Sequence, residues 1–352
     1  MQYELLEYLK CPITKTALRF KLISESKKSY AGNDIMEIKE GLLFSETGFV
    51  FPIINGIPRM LIESMDDYDL FLKKNLSDYQ EVKRQLDLKF PNLINYCIKK
   101  NKRTKASFNL EWNILDRSKK DEIWQDDVSS LPQVFMNEMG EHSNYFVNKH
   151  VIDIGCGHGI MTTKIAELSN FAIGIELSNA IEDAYNKNEH AQAWYIQGDL
   201  QFLPFNDLTF DIVYSSGVIH HTNNTELSFF QIESILKTNG KICLWLYHPQ
   251  KSIVHNLSLL IRQVTKKLPL KLTLVLLAVF IFPVTFLIKK IRHKRALNYR
   301  EEFIYLLDGF TPEFRFEIPH DIAASWLQRK KYTNIAITTS NQYGFSIVGE
   351  KT

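Results

Sequence analysis

The chain has 352 residues, 45% of them apolar, and a formal net charge of +2. The apolar fraction excludes a disordered chain, and the charge gives no general case for nucleic-acid binding. Its four cysteines, Cys11, Cys97, Cys156 and Cys243, match no metal-ligand spacing and no small disulfide scaffold, so reduced thiols in a cytoplasmic setting are expected.

The N-terminal residues carry neither a basic region nor an apolar run, so no signal peptide is expected. Residues 1–62 read as a small separate unit. A short helical pattern at 4–9 runs into Cys11-Pro12. Strand-like clusters follow at 17–23, 41–44 and 48–53, then an Asn55-Gly56 turn and a closing segment at 57–61. The patterns Leu-x-Cys-Pro-x-Thr-Lys-x-x-Leu at 9–18 and Phe-Pro-Ile-x-Asn-Gly-Ile-Pro-x-Met-Leu at 51–61 resemble the zinc-ribbon-derived domain of activator subunits of tRNA and protein methyltransferases. Zinc-bearing relatives place a second cysteine near the position of Thr14, and a tetrahedral site needs about four N or S ligands. With Cys11 alone, a metal-free version is expected; a minor β appendage is the other reading.

Residues 63–134 read as a helical linker or cap. Leu76, Tyr79, Val82 and Leu86 recur at helical spacing, and Pro91 interrupts the pattern. The cluster Lys99, Lys100, Lys102, Arg103 and Lys105 reads as a solvated face. Residues 107–112, Ser-Phe-Asn-Leu-Glu-Trp, resemble the Phe-Gly-x-x-Trp segment that lies over the cofactor pocket in some small-molecule methyltransferases. An aromatic anchor for a linker is the other reading of these residues.

Residues 135–250 together with 313–352 alternate strand and helix. A buried strand at 151–154 ends in Gly155, Gly157 and Gly159, and a helical pattern begins at Ile160. Such a turn lets backbone approach a ligand closely, with helix N–H groups behind it. A second strand ends at Glu176-Leu177, at the distance where a carboxylate meets ribose hydroxyls. A third ends at Asp199-Leu200, a fourth at Ser216, and a fifth spans 240–247. Ligands of parallel sheets bind at the carboxyl ends of the strands, where Asp153, Glu176, Asp199 and Ser216 all fall.

Taken together, Asp-x-Gly-x-Gly-x-Gly, the later Glu, Gly-Asp-Leu-x-x-Leu-Pro-Phe and Phe-Asp-x-Val-x-Ser-x-Gly-Val-x-His-His resemble the class I S-adenosylmethionine-dependent methyltransferases, in the branch of quinone-biosynthesis enzymes. The resemblance covers about 135–250 plus the C-terminal strands. It implies an α/β, doubly wound Rossmann-like sheet with S-adenosylmethionine as cofactor. It also implies cofactor contacts from Asp153, Gly155, Cys156, Gly157, Glu176, Leu177, Asp199, Leu200 and Ser216. Asp153 beside the turn suits a cationic ligand better than a pyrophosphate. His220 and His221 follow the fourth strand; they are candidate general bases, with helix-capping or core histidines as the alternative.

Residues 251–312 read as a hydrophobic helical insertion. The run 268–288 is long enough to span a bilayer, but Lys271 and Pro283 interrupt it. Spanning would also separate the strands expected at 335–338 and 345–348 from the sheet they must join. A re-entrant or surface-lying hairpin, or a lid, is therefore expected, with basic flanks suited to an anionic membrane surface. The readings that follow are methyl transfer to a small or lipid-linked acceptor at the cytoplasmic face of a membrane, a non-catalytic scaffold, or methylation of tRNA or protein. Balanced charge argues against nucleic acid as partner.

Overall fold

The computed structural model describes residues 1–114, 128–292 and 298–352, the side chain of Arg292 excepted. Lys294 and Arg295, part of the basic flank noted above, and residues 115–127 of the linker lie outside them.

After a four-residue helix α1 (Leu5–Tyr8), the N-terminal unit is a four-stranded antiparallel sheet in the order β1-β2-β3-β4. Strands β1 (Arg19–Tyr30) and β2 (Asn33–Phe44) form a long hairpin turning at Ala31-Gly32; β3 (Val50–Ile54) and β4 (Ile57–Pro58) complete it. The sequence pattern places only the two ends of this hairpin, because its middle is rich in charged and polar residues and even its buried positions include Glu37. The buried Arg59 guanidinium ties the unit to the main domain, donating to Gln197 Oε1 at 3.2 Å and Glu182 Oε1 at 3.0 Å. The Met60 N–H donates to the Gln197 carbonyl at 2.7 Å.

Four helices bridge to the main sheet: α2 (Ser64–Asp67), α3 (Asp69–Asn75), α4 (Tyr79–Lys89) and α5 (Pro91–Ile114). Pro91 does not end the helical region but opens its longest helix. At the first helical position its missing N–H costs no intrahelical bond. The basic cluster on α5 is not a simple solvated face. Lys105 pairs with Glu63 and Asp67, and Lys100 with Asp199. Arg103 donates to the carbonyls of Thr265, Leu268 and Thr311. Charged groups this close to the core find partners because leaving them unpaired is costly.

The main sheet has seven strands in the order β10-β11-β9-β8-β5-β6-β7. Its members are β5 (His150–Ile154), β6 (Phe171–Glu176), β7 (Ala193–Gln197), β8 (Phe210–Ser216), β9 (Leu236–Tyr247), β10 (Thr333–Ser340) and β11 (Gly344–Glu350). Strands β5 to β9 pair in parallel, whereas β11 runs antiparallel to both β9 and β10. The order reverses at β5, which places a crevice at the carboxyl ends of β5 and β8. Helices α6 (Leu131–Met139), α7 (Ile160–Leu168), α8 (Ala180–Asn186) and α9 (Thr225–Ser234) accompany the parallel strands. The two C-terminal strands join the same sheet as β9, as the sequence required, β11 beside β9 and β10 at the edge.

Between β9 and β10 lie α10 (Ile253–Thr265), α11 (Leu270–Leu276), a π-helical turn (Leu277–Ile281), α12 (Phe282–Arg292), α13 (Tyr299–Phe310) and α14 (His320–Arg329). The apolar run is therefore not a hairpin. It is one continuous helix whose π turn sits directly before Pro283, a residue that lacks an N–H and crowds the preceding turn. Leu277 packs with Leu307 and Phe310 of α13 in a small cluster of its own.

Candidate functional site

A cleft of about 760 Å³ opens at the carboxyl ends of β5, β6, β7 and β8. Asp153, Gly155, Cys156, Glu176, Leu177, Asp199, Leu200, Ser216 and His221 all line it. Two expected site residues do not: Gly157 and His220 lie behind its wall.

Strand β5 delivers Asp153 into the interior, 3% exposed, where Thr162 Oγ1 donates to its Oδ2 at 2.6 Å. Burial pushes its carboxyl up to about 7. The backbone then enters left-handed conformations at Gly155 and Gly157, with φ of 75° and 54°. A Cβ on Gly157 would stand 2.4 Å from Trp112 Cζ2, so the space above this glycine belongs to α5. Segment 107–112 thus lies over the glycine turn, and the Trp112 ring meets His158 edge-on at 4.1 Å.

Glu176 closes the turn from β6. Its Oε2 accepts from the Gly157 N–H at 3.3 Å and its Oε1 from the Ser178 N–H at 2.7 Å. The carboxylate is thereby fixed, with lone pairs left for hydroxyls. Asp199, from the end of β7, pairs with Lys100 and accepts from Asn101 Nδ2 at 3.2 Å. Ser216 Oγ donates to Glu138 Oε1 at 3.4 Å, and Tyr214 holds the other oxygen of that glutamate at 2.6 Å. The thiol of Cys156 is raised by burial, which makes it a packing group and a poor nucleophile.

The two histidines separate in role. His220 is fully buried; its Nδ1 faces the Tyr247 N–H at 3.4 Å, and burial followed by the neighbouring His221 lowers its pKa well below the usual range. A neutral imidazole behind the wall braces the end of β9. His221 reaches the cleft, but both its nitrogens lie beside oxygens. Phe314 O is 3.1 Å from Nδ1 and Asp308 Oδ1 is 3.2 Å from Nε2. The Phe108 ring packs edge-on against it at 5.3 Å.

Sequence reasoning missed two carboxyl groups on this side. Asp308 of α13 is buried and takes a hydrogen bond from the Tyr247 hydroxyl. Burial alone would raise its pKa; His221, Tyr247 and Arg315 more than offset this and hold it below the usual carboxylate range. Glu111 of α5 lines the cleft, is 3% exposed, and has no hydrogen-bond partner for Oε2 among the described residues. Burial, then the charge of Asp308, holds its carboxyl well above the usual range. A polar residue inside an apolar stretch, as in Tyr305-Leu306-Leu307-Asp308, was the available signal for the first.

The glycine turn, the fixed glutamate and the strand-end acids at the switch point meet a match to a known family at residues 152–244. The model that these residues match is that of a methyltransferase domain. Similar proteins include malonyl-[acyl-carrier protein] O-methyltransferase of Legionella pneumophila, 30% identical over 26% of this chain and 34% of that protein. Mitochondrial ubiquinone biosynthesis O-methyltransferase of Schizosaccharomyces pombe is 28% identical over 31% of this chain and 42% of that protein. The matched stretch thus spans less than half the length of either relative. Among solved structures, magnesium protoporphyrin IX methyltransferase from Synechocystis PCC 6803 with bound SAH is 14% identical, covering 64% of this chain and 82% of that one, with a TM-score of 0.38. The cofactor expected from the sequence motifs is S-adenosylmethionine. The residues present fit it: Gly155 and Cys156 of the turn line the cleft, with a carboxylate for ribose hydroxyls and a buried acid suited to a cation.

Proposed function

We propose that this protein transfers a methyl group from S-adenosylmethionine to a small apolar or lipid-linked acceptor. The reading includes peripheral contact with a membrane, at its cytoplasmic face, through residues 268–288. One observation carries it: the cleft has strand-end acids on one wall and groups from the insertion, such as Phe286, Leu306 and Phe310, on another. A cofactor site and an apolar acceptor site then share one cavity. The relatives' names, concerning an acyl carrier and ubiquinone biosynthesis, support an acceptor of that class.

The bound cofactor supplies an electrophilic methyl on sulfonium; the chain supplies alignment and a place for a proton. Glu176 and Asp153 hold the two ends of the ligand. Trp112 and Phe108 cover it and exclude water. Glu111, which lines the cleft and whose buried Oε2 finds no hydrogen-bond partner among the described residues, takes the proton from a hydroxyl acceptor. The candidate base thus moves from the histidines to α5. His221 and Asp308 form the polar floor that keeps Tyr247 in place.

The N-terminal unit, resembling methyltransferase activator domains, is proposed to act in cis by holding β7 through Arg59 and Met60. Calorimetry with S-adenosylmethionine and, in parallel, NAD tests the reading. Binding of the first alone is expected; binding of NAD alone sinks it. Cofactor binding without label transfer to any acceptor extract would instead favour a scaffold.

A further inference from the structure

Residues 268–288 are half of a larger surface. On α10, Ile253, Leu257, Leu260 and Val264 are all exposed, Ile253 to 88%. Their spacing of four, three and four residues puts them on one face of the helix. The continuous helix from Leu270 carries a second stripe, Leu272, Val275, Val279, Val284, Leu287 and Ile291, also exposed. Only 11% of the most apolar part of that helix is buried. Exposed apolar patches on this scale mark a contact surface.

The charges say what the contact is. From Gln250 to Arg300 the sequence holds eleven Lys or Arg and no Asp or Glu. A face of one sign would repel a second copy of itself, whereas an anionic leaflet attracts it and takes up the aliphatic side chains between the cations. Lys266, Lys267 and Lys271 sit at the junction of the two helices and Lys290 near the far end of the second, where its neighbour Lys289 pairs with Glu302. The inner edges of both helices, with Val254 and Ser258 on α10 and Thr285 and Phe286 on α12, line the cleft. A single crossing is ruled out because β9 and β11, on either side of the insertion, are adjacent strands of one sheet.

We infer that α10 and the α11–α12 helix together form a docking platform for an anionic bilayer surface, with the mouth of the cleft at the seam between them. An apolar acceptor then passes from the leaflet into the cleft without crossing water. This last clause rests on the methyl-transfer reading; the docking does not.

The test is flotation of the full-length protein with phosphatidylcholine vesicles, with and without phosphatidylglycerol. Wild type is expected to float, more completely with the anionic lipid. The triple variant Ile253→Glu, Leu257→Glu, Leu260→Glu is expected to lose vesicle affinity by about tenfold or more, with unchanged S-adenosylmethionine binding by calorimetry. Leu70→Glu, on the distant α3, is expected to float as wild type. If the triple variant does not fold, an environment-sensitive dye on Leu257→Cys replaces it: a blue shift on adding vesicles supports the platform and no shift overturns it. Flotation of the folded triple variant equal to wild type would also overturn it, as would a wild type that stays with the solvent or sediments as a dimer. Flotation without cofactor binding would sink the methyl-transfer reading and leave the platform standing.

Discussion

Asp153 makes cofactor affinity depend on pH in a way an ordinary aspartate would not. Its carboxyl is raised to about 7 by burial, against 3.8 for the free group. A cationic ligand selects the ionised form, so apparent affinity scales with the ionised fraction. With a pKa of about 7, that fraction is roughly 3% at pH 5.5 and about half at pH 7, a gain in affinity of about sixteenfold. The window stays below the pKa of about 7.7–8.0 expected for the ligand's own amino group, whose charge is then nearly constant. Calorimetric titration at several pH values, in buffers of different ionisation enthalpy, should show tightening with pH and release of nearly one proton at the acid end. Asp153→Asn should flatten the dependence at the weaker affinity. A flat wild-type profile from pH 5.5 to 7 would refute the reasoning, since it would mean a carboxylate already ionised throughout.

Three further expectations follow from the geometry. Gly157→Val should weaken cofactor binding by displacing Trp112, which a Cβ would meet at 2.4 Å; adding Trp112→Ala should recover part of the loss in the same titration, whereas a direct clash with ligand would not be relieved. Glu111→Gln should lower turnover by about 10²-fold or more with cofactor affinity intact. The same change bears on stability. A folded pKa raised above the usual 4.5 gives stability that is full below that value and declines as pH rises toward the folded pKa. The Gln variant should therefore gain in melting temperature over wild type between pH 5 and 7. Asp308→Asn should remove stability that wild type holds above the usual carboxylate pKa and loses on strong acidification; the gap between the two proteins in thermal melts should be constant near neutrality and begin to narrow only below the usual carboxylate pKa.

The strand-end acids were legible because each belongs to a local pattern: an apolar run, then a turn, with the acid at the junction. Asp153, Glu176, Asp199 and Ser216 meet in space because the parallel sheet aligns all strand ends, a rule independent of detail. Glu111 and Asp308 were not legible. They meet at the cleft only because α5 and α13 pack together, a tertiary contact that no local periodicity encodes. Lys100, Arg103 and Lys105 failed for the same reason, since Asp199, the carbonyls of the insertion and Glu63 are remote in sequence. The stripe on α10 stands at helical spacing among polar residues, which makes it a weaker signal than the nearly unbroken apolar run at 268–288. His220 and His221 illustrate the limit of a motif: adjacent residues after one strand end face opposite sides of the wall.

The central claim is that one cavity holds both a methyl donor and an apolar acceptor. The most direct measurement incubates purified full-length protein with S-adenosylmethionine labelled on its methyl group and a total lipid extract, then partitions between organic solvent and water. Label in the organic phase is expected for wild type, lost in Glu176→Ala and strongly reduced in Glu111→Gln. Label confined to added tRNA or protein, with none in the organic phase, would contradict the account.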